Sequence, residues 1–163
     1  MARSSPQPLT PAQRRNRRSR VARIARQLGF VGRIEYRHVY SQTGGAQYGR
    51  GSTAAEDLLT VYAEAFERDA DPEDFSLEAI LAHERGHQLL ARHRRISKRV
   101  RGRVSAAGEE ILASLLGAVI CAGEADRDAL VAKASVDLLH HGEAPDAAIR
   151  RLQELWDLLE SLL

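Results

Sequence analysis

Ser76–His93 reads SLEAILAHERGHQLLARH, and the rest of the chain is read outward from this stretch. Leu77, Ile80, Leu81, Leu89 and Leu90 recur at helical spacing. Ser76 or Asp74 suits the N-cap, Glu78 falls in the first turn, and no proline intervenes before His93. The stretch therefore predicts one amphipathic helix. Within it, His83-Glu84-Arg85-Gly86-His87 fits the pattern H-E-x-x-H. On a helix His83 and His87 lie one turn apart on a shared face, so their imidazoles can reach a single ion. Neutral histidine nitrogen suits zinc. Glu84 neighbours the first histidine, and its carboxylate can approach a water held by the ion without binding the ion itself. Zinc would bring the pKa of such a water to roughly 7, with Glu84 as the general base. The plainer alternative is a surface helix with two solvated histidines. The central place of the motif on a capped amphipathic helix favours the metal reading.

A third ligand has two routes. His93 follows His87 by six residues, as in the metzincin pattern H-E-x-x-H-x-x-G-x-x-H with a later Met-turn. Here Leu90 replaces the glycine, and Met1 is the only methionine. On an unbroken helix six residues turn through about 600°, which takes His93 off the face of His87. The second route is a glutamate on a following helix. The stretch SAAGEEILASLLGAVICAG, opened by Ser105, predicts such a helix, with Glu109 and Glu110 near its start and Leu112, Leu115, Leu116, Val119 and Ile120 on its buried side.

These two segments carry a family resemblance. AILAHERGHQLLARH resembles the H-E-x-G-H helix of the CAAX-prenyl-protease type of metallopeptidase. GEEILASLLGA resembles that family's E-x-x-A-D helix and the glutamate helix of the ImmA/IrrE-type peptidases. The resemblance is to gluzincins, and the element order is similar to that of the minigluzincins. It implies a zinc cofactor, His83, His87 and Glu110 as ligands, and Glu84 as general base. The family's aspartate falls at Ser114, which would then orient a ligand histidine through a hydrogen bond. Glu109 is the rival ligand. It shares the Leu112–Leu116 side, whereas Glu110 shares the Ala113–Ser114 side. The match covers these two helices only. The CAAX type is embedded in a membrane, whereas no window here approaches about 18 apolar residues, so only the catalytic core compares.

Upstream, residues 1–11 hold Pro6, Pro8 and Pro11 and read as a flexible leader. From Ala12 to Phe30 the pattern is helical, with Val21, Ile24, Ala25 and Leu28 on one face and Gly29 as the stop. Arg14, Arg15, Arg17, Arg18, Arg20, Arg23 and Arg26 crowd this segment, and no acid precedes Glu35. Two readings stand: an arm for nucleic acid or an acidic partner, or a solvated helix. Val31–Val39 alternates like a strand, Ser41–Gly45 reads as a turn, and Ala46–Ser52 as a short, irregular edge strand. In DLLTVYAEAF, Leu58, Val61 and Tyr62 suggest a third strand, followed by an acidic loop over Glu67–Asp74. The basic run RRISKRVRGRV after the central helix reads as a linker, and with Arg92 it forms a second cluster over 92–103. From Glu124 onward two amphipathic helices are expected, broken near His141-Gly142 and Pro145. The Leu/Trp face of the second would pack on the domain or on a second copy in a homodimer.

The expected fold is α+β: a minimal zincin-like domain with a small three-stranded sheet packed on an active-site helix and a glutamate helix, then C-terminal helices. Residues 12–122 would form the catalytic domain with its basic N-terminal helix, and 123–163 a helical hairpin packed on it. The lone Cys121 excludes an internal disulfide and a cysteine-based zinc site, and reads as a small core residue. No apolar signal segment follows the basic start, so a cytoplasmic protein is expected, with an Arg-rich transit peptide as the alternative. The expected activity is zinc-dependent hydrolysis of a peptide or protein substrate, in an active or latent form. The alternative is a nucleic-acid or regulator-binding protein using the clusters 14–26 and 92–103, its zinc site degenerate or structural. For the peptidase, Tyr48, His140 and His141 are the candidate oxyanion donors.

Overall fold

Thr10 opens the first helix of the computed structural model, which describes residues 5–41, 44–67, 75–100 and 105–163. Its hydroxyl accepts the Gln13 N–H, the Gln13 side chain returns the bond to the Thr10 N–H, and Pro11 takes the first helical position of α1 (Pro11–Gln27). Pro11 thus belongs to the helix rather than to the leader. Gly29, at φ 78°, provides the left-handed turn that ends it. Val21, Ile24 and Ala25 are buried, as their spacing predicts.

Three short strands follow: β1 (Arg33–Tyr36), β2 (Ala46–Gly49) and β3 (Leu58–Val61). β1 and β2 are each shorter than the sequence suggests. The sheet order is β1-β3-β2, so the last strand lies in the centre, parallel to β1 and antiparallel to β2. β2 is therefore an edge strand. A 3-10 turn, Ala63–Phe66, continues from β3, where the sequence had suggested that the strand persists to Tyr62. Of the expected acidic loop, 68–74 lies outside the described residues.

The central helix α2 (Leu77–Arg92) starts at Ser76, whose Oγ accepts the Ala79 N–H at 3.0 Å. It ends at His93, which turns to an extended conformation. The basic stretch expected as a linker is helical: α3 (Arg94–Val100) buries Ile96 and exposes Arg94, Arg95, Lys98 and Arg99. Residues 101–103 of the basic cluster lie outside the described residues. Ser105 caps α4 (Ala106–Ile120), and the hairpin α5 (Glu124–His140) and α6 (Pro145–Leu162) completes an α+β fold with C-terminal helices. No helix among the described residues is long and apolar enough to cross a membrane.

Two cores flank α2. On one side Leu77 and Leu81 pack with Val21, Ile24, Phe30, Leu59 and Val61, joining α1 and the sheet to α2. On the other, Leu89 and Leu90 pack with Leu112, Leu115 and Leu116 of α4, and with Leu138 and Leu159 of the hairpin. The glutamate helix therefore reaches the sheet through α2. Two glycines let these helices close. A Cβ on Gly86 would stand 2.1 Å from the Ala113 carbonyl oxygen, and one on Gly117 would stand 2.8 Å from that of Ala82. This close crossing, at Ala113 and Gly117 of α4, brings the His83–His87 face of α2 against the N-terminal half of α4.

Candidate metal centre

His83 and His87 share one face of α2, their rings 4.8 Å apart between centroids and nearly perpendicular. Their Nε2 atoms approach to 3.2 Å. Glu110, in the N-terminal part of α4, faces both: one carboxylate oxygen lies 3.2 Å from His83 Nε2, the other 3.3 Å from His87 Nε2. Ligands held about 2.0–2.1 Å from zinc in a tetrahedron stand roughly 3.3 Å from one another. The spacing, and the set of two imidazoles and one carboxylate, therefore fit an ion of zinc's size and ligand preference. His83, His87 and Glu110 form a group that could hold a metal ion, with one ligand atom from each lying within 4.8 Å of the others.

The far ring nitrogens are also held. His83 Nδ1 pairs with Ser114 Oγ at 3.1 Å, and Ser114 is fully buried. His87 Nδ1 lies 3.3 Å from a Glu109 carboxylate oxygen. Donation from each Nδ1–H leaves the Nε2 lone pairs free to meet an ion, and it fixes the ring orientation. Glu109, the rival ligand, thus meets the outer side of His87, while Glu110 meets the inner nitrogens of both rings. When the His83 ring instead carries a proton on Nε2, hydrogen bonding from it is the chief reason the Glu110 carboxyl is held down at about 2 against its burial, with further help from the His87, His83 and Lys133 charges. Glu110 is therefore ionised, as a metal ligand must be.

Glu84 is 9 % exposed and lines the same cleft. Burial pushes its carboxyl up, opposed by the nearby histidines and by the Tyr48 N–H, which donates to Glu84 Oε2 at 2.7 Å. That bond runs from the outward edge of β2 to α2. Because backbone groups alternate sides along an antiparallel strand, those of Ala46 also face this way. The cleft, about 500 Å³, runs between this edge at Gly44–Tyr48 and a wall from α4 and α5 that includes Glu109, Glu110, Leu130 and Lys133. Phe75 and Ile80 add apolar surface.

The candidate oxyanion donors fall elsewhere. The Tyr48 hydroxyl turns to Asp57 Oδ2, 3.0 Å away, because Asp57 is a fully buried carboxylate that gathers donors. It also accepts from Arg92, Gln88 and the Gly51 N–H. Burial alone would raise the Asp57 carboxyl, but these bonds outweigh it and hold the group at about 2. Burial and the Asp57 contact push the Tyr48 phenol up to about 12. His140 ends α5 and His141 caps it, and neither lines the cleft. His93 is also absent from the cleft lining, as the unbroken helix requires. The sequence reading missed Lys133 and the Asp57 network, since each depends on contacts between distant segments. The i,i+4 pair of Lys133 with Asp137 was the one local signal, and it reads as ordinary helix stabilisation.

Three α1 arginines bond beyond their own helix, Arg17 half-buried and Arg20 and Arg26 at the surface. Arg17 donates to the Tyr36 hydroxyl and lies over the Phe66 ring, Arg20 pairs with Glu78, and Arg26 donates to the Phe30 and Gly32 carbonyls. Arg14, Arg15, Arg18 and Arg23 are exposed as well. No protein family, characterised protein or solved structure matches the chain.

Proposed function

We propose that the protein is a zinc-dependent metallopeptidase in which Glu84 is the general base. One observation carries this reading: the His83, His87 and Glu110 donors converge in a cleft that also holds the buried Glu84 and is bordered by the outward edge of β2. The two histidines and Glu110 would hold the ion. When bound, it would polarise a substrate carbonyl and make water more acidic. An extended peptide would lie along β2 and bond to the Ala46 backbone by strand addition. Glu84 takes a proton from water as the water oxygen bonds to the carbonyl carbon. Glu84 then passes that proton to the leaving nitrogen as the C–N bond breaks, giving a free acid and a free amine. Gluzincin-like chemistry also agrees with the H-E-x-G-H and E-x-x-A-S segments. The nucleic-acid reading draws less support, because Arg17, Arg20 and Arg26 are bound within the chain.

The test is cleavage of unfolded casein and of quenched fluorogenic peptides by zinc-loaded wild type and by Glu84→Gln. The wild type should cleave, and the variant should keep its zinc while losing about 10²–10⁴-fold in rate. Equal turnover would remove Glu84 as the base. A zinc-loaded wild type that cleaves no peptide would overturn the peptidase reading.

A further inference from the structure

Hydrolysis places negative charge on the carbonyl oxygen, and a donor aimed at that oxygen accelerates the step. The Tyr48 hydroxyl faces Asp57, and neither His140 nor His141 lines the cleft. Lys133 is the only Lys or Arg lining the cleft among the described residues, where the charged groups are otherwise the carboxylates of Glu84, Glu109 and Glu110. It projects from α5, one turn beyond Leu130, in the wall that also holds Glu110. Asp137, one turn further on, holds the Lys133 ammonium at 2.8 Å. An ammonium has three N–H donors, so this anchor leaves two. The anchor also restrains a flexible stem, so that less ordering is needed when substrate arrives.

We propose that Lys133 is the anion donor of the cleft, placed to meet the negative charge that develops on the scissile carbonyl oxygen. This rests on the peptidase reading of the same cleft. Because the charge exists only during reaction, loss of the ammonium lowers kcat rather than raising KM.

Two measurements test it on the full chain loaded with zinc. The first is calorimetric binding of N-phosphoryl-leucine amide. Its tetrahedral anion imitates the reacting carbonyl, and its amide end leaves no free carboxylate to compete for the lysine. Lys133→Met should weaken binding by about 10- to 100-fold, Lys133→Arg should restore part of it, and Lys98→Met on exposed α3 should leave it unchanged. The second is peptide hydrolysis, in which Lys133→Met should lower kcat by about 10²-fold with KM within about threefold and zinc content unchanged. Equal binding of the anion by wild type and Lys133→Met, or no binding by wild type, would overturn the assignment. So would a rise in KM at constant kcat, the sign of ground-state carboxylate recognition. Lys133-dependent anion binding without hydrolysis of any peptide would instead defeat the peptidase reading and leave the anion site standing.

Discussion

Gly86 offers a prediction with an unusual sign. Replacing glycine by alanine inside an exposed helix adds about 1 kcal/mol of stability. Here the new methyl would stand 2.1 Å from the Ala113 carbonyl oxygen and 2.9 Å from the Ala113 Cα. A comfortable carbon–oxygen approach is about 3.3–3.6 Å, so α2 and α4 must part by roughly 1.2 Å. The obstacle is backbone within a helix, which cannot rotate aside. Overpacking of this kind costs about 1–3 kcal/mol or more, so we expect Gly86→Ala to lose stability despite its better helix propensity. A backbone obstacle calls for the upper end of that range, and subtracting the propensity gain of about 1 kcal/mol leaves about 2 kcal/mol of net loss. For a chain of this size each kcal/mol moves Tm by about 2–4 °C, giving a fall of about 4–8 °C in calorimetry. The same parting moves Glu110 away from His83 and His87, whereas ligand distances tolerate only about 0.2 Å. Zinc affinity, measured by competition with a chelating dye, should fall by at least about tenfold. An unchanged or higher Tm with wild-type zinc affinity would refute the close crossing of α2 and α4 at the site.

Two further outcomes follow from the contacts around the centre. Asp57 is fully buried and bound by Arg92, Gln88, Tyr48 and the Gly51 N–H, so Asp57→Asn should cost about 3–5 kcal/mol in urea unfolding. Its folded pKa of about 2 lies below the ordinary 3.8, so as pH falls the unfolded chain takes the proton first. The stabilisation is complete above about pH 4 and is lost as pH falls toward 2, and Asp57→Asn should lack this acid-dependent component. Ser114→Ala and Glu109→Ala remove the partners of the outer histidine nitrogens and should each weaken zinc binding by about 10- to 100-fold. Glu110→Ala, which removes a ligand, should weaken it more, and the reverse order of Glu109 and Glu110 would exchange their roles.

The two helices that hold the candidate centre were legible because their signals are local. Ser76 and Ser105 cap them as expected, and the i,i+4 spacing of His83 and His87 needs only an unbroken helix to bring the rings together. Helical phase separates Glu110, on the Ala113–Ser114 side, from Glu109, on the Leu112–Leu116 side, whereas the place expected of Ser114 beside a histidine rests on the family resemblance. Strand order was not legible. Four-residue strands specify which face is buried but not which neighbour they join, and β3 enters between β1 and β2. α3 looks like a linker in the sequence because its basic residues mask one apolar anchor, Ile96. Tyr48 was legible as a cleft residue, but the direction of its hydroxyl was not, since a buried Asp57, just before β3, draws it away. Lys133 was missed for the converse reason: its role depends on where α5 packs, and no local pattern records that.

Zinc content measured by elemental mass spectrometry on purified wild type, His83→Ala, Glu110→Ala and Glu84→Gln tests the metal centre most directly. We expect about one zinc per chain in wild type and in Glu84→Gln, and little in either ligand variant. Wild type that stays free of metal after zinc is supplied, or ligand variants that retain a full equivalent, would contradict it.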